Sequence, residues 1–283
     1  MKRITIVGLG LMGGSLGLAL RRRGGWRVTG LARRSTTIKE ALRAGALHEG
    51  FIDPARALAG ADVVVYCSPV DKIIPLARHH RRWVPAGALV MDVGSVKGPI
   101  VREMEKLFSG QNHTAFVGAH PMAGSEKTGV ANAREDLYQG TVCVLAKTPR
   151  TDAGRLVQAS RFWKSVGARV RVLDPDTHDR VVALVSHLPH AIADALTLAV
   201  GDGAGPAGVR LAKELAAGSY RDATRVAGAD PGLWRGIFTL NDRAVRRAVS
   251  LFSKNLNGLV RQGWRVGDLR RAQRLNAFLK DLS

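Results

Sequence analysis

The run Gly118-Ala119-His120-Pro121-Met122-Ala123-Gly124-Ser125-Glu126-Lys127-Thr128-Gly129 follows the apolar residues Ala115 to Val117. It sets a histidine at the end of an apolar strand, in a glycine-rich loop that a helix would not tolerate. Oxidation of an alcohol needs a base for the hydroxyl proton as hydride departs, and neutral imidazole suits that task near pH 7, so His120 is the candidate base. Two other strand ends offer usable groups. Asp92-Val93-Gly94-Ser95-Val96-Lys97 presents a hydroxyl at Ser95 and an ammonium, and Cys67-Ser68-Pro69-Val70 is compact enough for Ser68 and Pro69 to lie against a cofactor. Ser95 reads equally as a turn-stabilising hydroxyl or a substrate contact.

The hydride acceptor has its own motif. Ile4-Thr5-Ile6-Val7-Gly8-Leu9-Gly10-Leu11-Met12-Gly13 places Gly-x-Gly-x-x-Gly between a strand and an apolar helical pattern through Leu16, Leu18 and Leu20. Gly8 permits the tight turn, Gly10 lets backbone approach a pyrophosphate, and Gly13 lets helix and strand meet closely; Leu11 and Met12 open the helix over the phosphates. After the second strand, where an acid would hold a free ribose hydroxyl, the chain reads Arg33-Arg34-Ser35-Thr36. Guanidiniums and hydroxyls there favour the 2′-phosphate of NADP over NAD, unless Arg33 and Arg34 are only solvated surface. No His, Cys, Asp or Glu set has metal-ligand spacing, so no metal is expected.

These groups need strands to carry them. Apolar runs at Ile4 to Val7, Arg27 to Leu31, Val63 to Cys67, Leu89 to Val93, Ala115 to Val117, Val142 to Leu145 and Val170 to Leu173 alternate with helical patterns, the rhythm of an α/β domain with a mostly parallel sheet. From Asp174 onward only helical patterns follow. Asp174-Pro175 and Asp230-Pro231 each pair an N-cap with proline at the first helical position. Residues 1–173 are thus expected to form a Rossmann-type dinucleotide-binding domain, and 174–283 an all-helical domain. Apolar residues from Trp234 to Val260 recur at three- and four-residue spacing, predicting one long helix whose stripe needs a partner surface and hence a homodimer.

Composition narrows the class. The 43 Lys and Arg against 23 Asp and Glu give +20, but the basic residues are dispersed in short groups without a recognition motif, so no specific nucleic acid is expected. No uninterrupted apolar span of membrane length is evident, which argues against a membrane partner. Cys67 and Cys143 lie in separate apolar runs that suit a reduced compartment, pointing to the cytoplasm.

Four stretches in order, GLGLMGGS from Gly8, DVGSVK from Asp92, HPMAGSEKTG from His120 and SHLPH from Ser186, resemble the signatures of the prephenate dehydrogenase family, as do the later ATR and DPGLW stretches. The resemblance implies oxidative decarboxylation of prephenate to 4-hydroxyphenylpyruvate in tyrosine biosynthesis, by a Rossmann domain joined to a helical dimerisation domain. It implies that His120 takes the ring hydroxyl's proton while Ser95 orients that group. Ser186 and His190 then line the substrate pocket, with His190 reaching the keto acid side chain; Arg225 binds carboxylate, Arg221 stands where a basic residue is usual, and Trp234 lies near the partner's active site. Ser186 and His190 share a helical face if the helix persists through Pro189, a residue expected to kink it. His187 reads as a packed or capping histidine. Arogenate, with an amino group in place of the ketone, is the alternative substrate. A β-hydroxyacid dehydrogenase or a non-catalytic Rossmann protein would leave the His120 loop without a role.

Overall fold

The computed structural model describes residues 1–108, 114–124 and 127–280; Ser125 and Glu126 of the glycine-rich motif lie outside the described residues. The N-terminal half runs β1 (Lys2–Val7), α1 (Leu11–Arg23), β2 (Trp26–Leu31), α2 (Ser35–Arg43), β3 (Glu49–Phe51), α3 (Pro54–Leu58), β4 (Val63–Tyr66), α4 (Val70–His80), β5 (Leu89–Asp92), α5 (Gly98–Phe108) and β6 (Ala115–Val117). These six strands form one parallel sheet in the order β3-β2-β1-β4-β5-β6, reversing direction of growth at β1 and β4. That reversal opens a crevice at the carboxyl ends of β1 and β4, the place where doubly wound sheets bind ligands. Ile4, Ile6, Leu16, Leu20, Val63 and Val65 are fully buried beneath it, each aliphatic contributing about 1.5–3 kcal/mol.

Two strand expectations need correction. Glu49-Gly50-Phe51 has no apolar run, yet pairs with β2 as the sheet edge. His120 is not in a loop: it sits within β7 (Ala119–Pro121), which pairs antiparallel with β8 (Val142–Ala146), itself parallel to β9 (Arg169–Leu173) beyond α6 (Ala153–Ser165). The chain leaves the main sheet at Gly118, where a Cβ would come within 2.7 Å of the Val101 side chain, and enters this separate three-stranded sheet. Pairing holds the imidazole more firmly than a loop could.

The second half is helical: α7 (Pro175–Val182), a π-helical turn at Ala183–His187, α8 (Leu188–Leu215), α9 (Gly218–Thr224), a 3-10 turn at Arg225–Gly228, α10 (Pro231–Leu240), α11 (Asp242–Arg261) and α12 (Val266–Lys280). Both Asp-Pro starts cap as read, Asp174 accepting from Thr177 N at 2.8 Å and Asp230 from Leu233 N at 2.7 Å. The helix expected from Trp234 to Val260 is instead two, broken at Asn241, whose backbone leaves the helical range and whose amide is buried in polar contacts described below. Pro189 does not kink its helix. It follows the π turn directly within one continuous helical run, where the extra residue of that turn accommodates the missing N–H. The kink comes at Gly205, with φ of 62°.

One reading of the sequence was too strict. The helical run Pro175–Gly205 is long and apolar enough to cross a membrane by length and composition, despite His187, His190 and Asp194 within it. In the single chain its outer side is exposed, as are Val249, Leu251, Leu256 and Val260 on α11 and Leu275, Phe278 and Leu279 on α12. The helical half therefore presents far more apolar surface than the parallel-sheet half.

Candidate active site

The glycine motif forms a phosphate cradle. Gly8 turns with φ of 99°, its N–H donating to the Leu31 carbonyl at 2.9 Å, so β2 ends beside the turn. A Cβ on Gly13 would fall 1.9 Å from the Gly8 oxygen, which is why helix and strand can meet here only through glycine. A Cβ on Gly10 would meet nothing within 4 Å. That open space lies at the N-cap of a 13-residue helix with no side-chain cap and no acid in its first turn, a fit for a dinucleotide pyrophosphate. The hydroxyl of Ser68 donates to the Val7 carbonyl at 3.2 Å and, with Pro69 at the N-cap of α4, walls the Gly8 turn. Leu11 and Met12 are half-buried, and the Met12 carbonyl accepts from Tyr138 at 2.7 Å. Arg33, Arg34 and Ser35 are exposed just past β2, with Arg34 at the N-cap of α2.

At the far side of the same sheet end, Asp92 gathers the reacting loops. One carboxylate oxygen accepts from Gly94 N at 2.9 Å and pairs with the fully buried Lys97 ammonium; the other accepts from Ala119 N at 3.1 Å. A single carboxylate thus ties the half-buried Ser95 turn to the strand of His120. His120 is buried, with Nδ1 2.8 Å from His178 Nε2, and His178 Nδ1 lies 2.7 Å from Asp179 Oδ1. Desolvation first, then the neighbouring His178, Lys97 and His187, hold the His120 imidazole well below the ordinary histidine range. These surroundings favour the neutral imidazole.

The network continues toward the helical half. Asn241 Nδ2 donates to the Asp179 carbonyl at 3.0 Å and to His187 Nδ1 at 3.2 Å, which is the polar demand that breaks the long helix. His187 is fully buried with its ring edge-on to Trp234. Trp234 stacks on His190 of its own chain at 3.5 Å, and the pair walls a cavity of about 580 Å³ with Asp194, Thr197, Ala227, Arg235 and Phe238. His190 Nδ1 is buried there without a hydrogen-bond partner, 3.7 Å separates Nε2 from Asp194, and burial lowers its titration. Ser186 is half-buried on the π turn. Arg221 and Arg225 are exposed; Arg225 opens the 3-10 turn whose Ala227 lines the cavity.

Residues 16–172 match the family model "Prephenate dehydrogenase, nucleotide-binding domain", and residues 174–264 match "Prephenate dehydrogenase, dimerization domain". The chain belongs to the prephenate dehydrogenase family. A solved structure, prephenate dehydrogenase from A. aeolicus in complex with hydroxyphenyl propionate and NAD+, is similar at TM-score 0.91 and 33% identity, over 100% of this chain and 99% of that one. Synechocystis arogenate dehydrogenase follows at TM-score 0.81 and 30% identity, covering 99% of both chains. Prephenate dehydrogenase of Bacillus subtilis is 31% identical over 242 residues, 84% of this chain; the chain spans 64% of that relative's length. Members of this family are NAD(P)-dependent oxidoreductases, and residues 16–172 match the family's nucleotide-binding domain.

His178, Asp179 and Asn241 join this network although motif spacing did not single them out, and the structure adds to the Asp92–Lys97 motif the buried pairing of its two end residues. A signal existed for two of them. Asp174 caps α7, and His178-Asp179 follows one turn later, a His-Asp pair at the junction of the two halves. Among the described residues, no group of three or more His, Cys, Asp or Glu could hold a metal ion.

Proposed function

We propose that this chain oxidatively decarboxylates prephenate to 4-hydroxyphenylpyruvate. The observation that carries the reading is His120, a buried neutral imidazole braced to the Ser95 turn through Asp92 beside a dinucleotide cradle. A dinucleotide bound in the cradle supplies the hydride-accepting ring. His120 Nε2 takes the proton of the substrate's ring hydroxyl, and Ser95 holds that hydroxyl by a hydrogen bond. Loss of the ring carboxylate as carbon dioxide leaves its bonding electrons in the ring, which becomes aromatic, so no metal is needed to polarise a carbonyl. The side-chain keto acid lies toward the cavity that the His190 ring lines, with Ser186 of the π turn as a further hydrogen-bonding group, Arg225 as the fork for carboxylate and Arg221 adding positive charge. The hydroxyphenyl propionate of the A. aeolicus complex, a phenol bearing a three-carbon acid, supports a substrate of this shape.

The finer assignments are part of the same proposal. Arg33, Arg34 and Ser35 favour NADP over NAD, since two guanidiniums stand where a carboxylate would be required to hold a free 2′-hydroxyl. The chain divides into 1–173 and 174–283, and two copies pair through the helical half in the cytoplasm, where Cys67 and Cys143 stay reduced. Arogenate is the second reading, favoured by the likeness to the Synechocystis enzyme. Steady-state kinetics with prephenate and arogenate, each with NADP and NAD, tests the substrate and cofactor assignments together. A higher kcat/KM for prephenate with NADP is expected; turnover of neither cyclohexadienyl acid refutes the function, and preference for NAD refutes the role of the arginines.

A further inference from the structure

The base sits in a relay whose direction the hydrogen-bond inventory dictates. Asp179 accepts from Lys97 N and Gly98 N, both at 2.7 Å, through Oδ1 and Oδ2 respectively. A carboxylate so engaged only accepts, so the 2.7 Å contact between its Oδ1 and His178 Nδ1 requires the proton on His178 Nδ1. With that one ring proton on Nδ1, His178 has a lone pair on Nε2. The 2.8 Å contact with His120 Nδ1 is satisfied only if His120 carries its proton on Nδ1 and donates. His120 Nε2 is left with the lone pair.

We propose that His178 and Asp179 are positioning residues that hold His120 in the one neutral tautomer able to take a proton through Nε2. The inference rests on the reading of His120 as the base, and it adds that the helical half supplies the tautomer control. His178 and Asp179 belong to α7, whereas His120, Lys97 and Gly98 belong to the sheet half. The Lys97 and Gly98 amides at the start of α5 anchor the Asp179 carboxylate, so the relay forms only when the two halves meet in this arrangement.

The decisive measurement is the ¹⁵N spectrum of histidine-labelled full-length protein, with His120 assigned by loss of its signals in His120→Gln. A protonated Nδ1 and an unprotonated Nε2 are expected at neutral pH. In Asp179→Asn the amide can donate to His178 Nδ1, which reverses the relay and moves the His120 proton to Nε2; kcat should fall about 10²-fold or more with KM within about threefold. A second pair of variants guards against loss of folding in Asp179→Asn. His178→Gln keeps an acceptor for His120 and a donor for Asp179 and should retain the Nδ1–H tautomer with kcat within about tenfold of the parent, whereas His178→Leu should populate both tautomers and lose more. A proton on Nε2 of His120 in the parent, or equal kcat and equal tautomer in His178→Gln and His178→Leu, overturns the relay. The spectrum reports the tautomer even if neither prephenate nor arogenate is turned over, so failure of the relay and failure of the proposed reaction are separable.

Discussion

Lowering the pH from 7.5 to 5 should destabilise this protein through histidines buried in their neutral form. His80 and His187 are both almost wholly buried, and desolvation pushes each down to about 4. His80 has no partner for Nδ1 and His187 none for Nε2, and for His187 the cost of desolvation outweighs the pull of the Asp179 charge. In the unfolded chain each titrates near 6.5. Because the folded values are depressed, this stability is fully present above 6.5 and is lost as pH falls from there toward 4. At pH 5 the unfolded chain carries nearly one more proton per histidine than the native one, which costs roughly 2 kcal/mol each at 1.36 kcal/mol per pH unit, or roughly 4 kcal/mol together. His120 and His190 shift in the same direction and add to it. Ordinary carboxylates titrate below this window and contribute little. Urea unfolding at fixed protein concentration, at both pH values, measures the loss; fixing the concentration matters because self-association would otherwise shift the midpoint. His80→Phe keeps an aromatic ring beside Tyr66 and should shrink the pH-dependent loss by about 2 kcal/mol. A loss below about 1 kcal/mol in the parent, or an unchanged loss in His80→Phe, would refute the assignment of acid sensitivity to these histidines.

Three further predictions concern the site, two of them with a control substitution. Lys97→Met strands the buried Asp92 carboxylate and should cost about 3–5 kcal/mol by thermal unfolding, while Lys72→Met, which removes an exposed pair with Asp71, should stay within about 0.5 kcal/mol; similar effects for the two would contradict the weight given to burial. Gly10→Ala should leave the melting temperature of the free protein nearly unchanged yet weaken dinucleotide binding about tenfold or more by titration calorimetry, because its Cβ enters only the space a pyrophosphate needs; Gly13→Ala should impair both, and unaltered binding in Gly10→Ala would move the cradle elsewhere. Arg225→Lys should raise KM for prephenate roughly tenfold by losing one charge-assisted hydrogen bond of about 1.5–3 kcal/mol, with dinucleotide affinity intact; an unchanged KM would shift the carboxylate clamp to Arg221.

What the amino-acid sequence determined by itself was everything set by local pattern. Glycines 8, 10 and 13 have roles that follow from their spacing after an apolar run, because the turn, the open approach and the close helix contact all lie within six residues. The Asp-Pro caps at 174 and 230 are likewise local, each satisfied by an amide three residues on. His120 could be chosen as base because its residue type and place after a strand were visible, and the remaining family motifs then marked Ser95, Ser186, His190 and Arg225. Tertiary structure alone decided the rest. Strand β7 exists because β8 lies beside it, so a three-residue segment with no periodicity of its own read as loop. The apolar stripe continues past Asn241, yet the helix stops there to deliver an amide to Asp179 and His187, partners 62 and 54 residues away. His178 meets His120 across 58 residues, and Asp179 meets the Lys97 amide across 82. Hydrogen bonds between such distant groups leave no periodic trace, since the chain between them obeys its own packing; only folding brings them within hydrogen-bonding distance, and only there does a neutral imidazole acquire a defined proton.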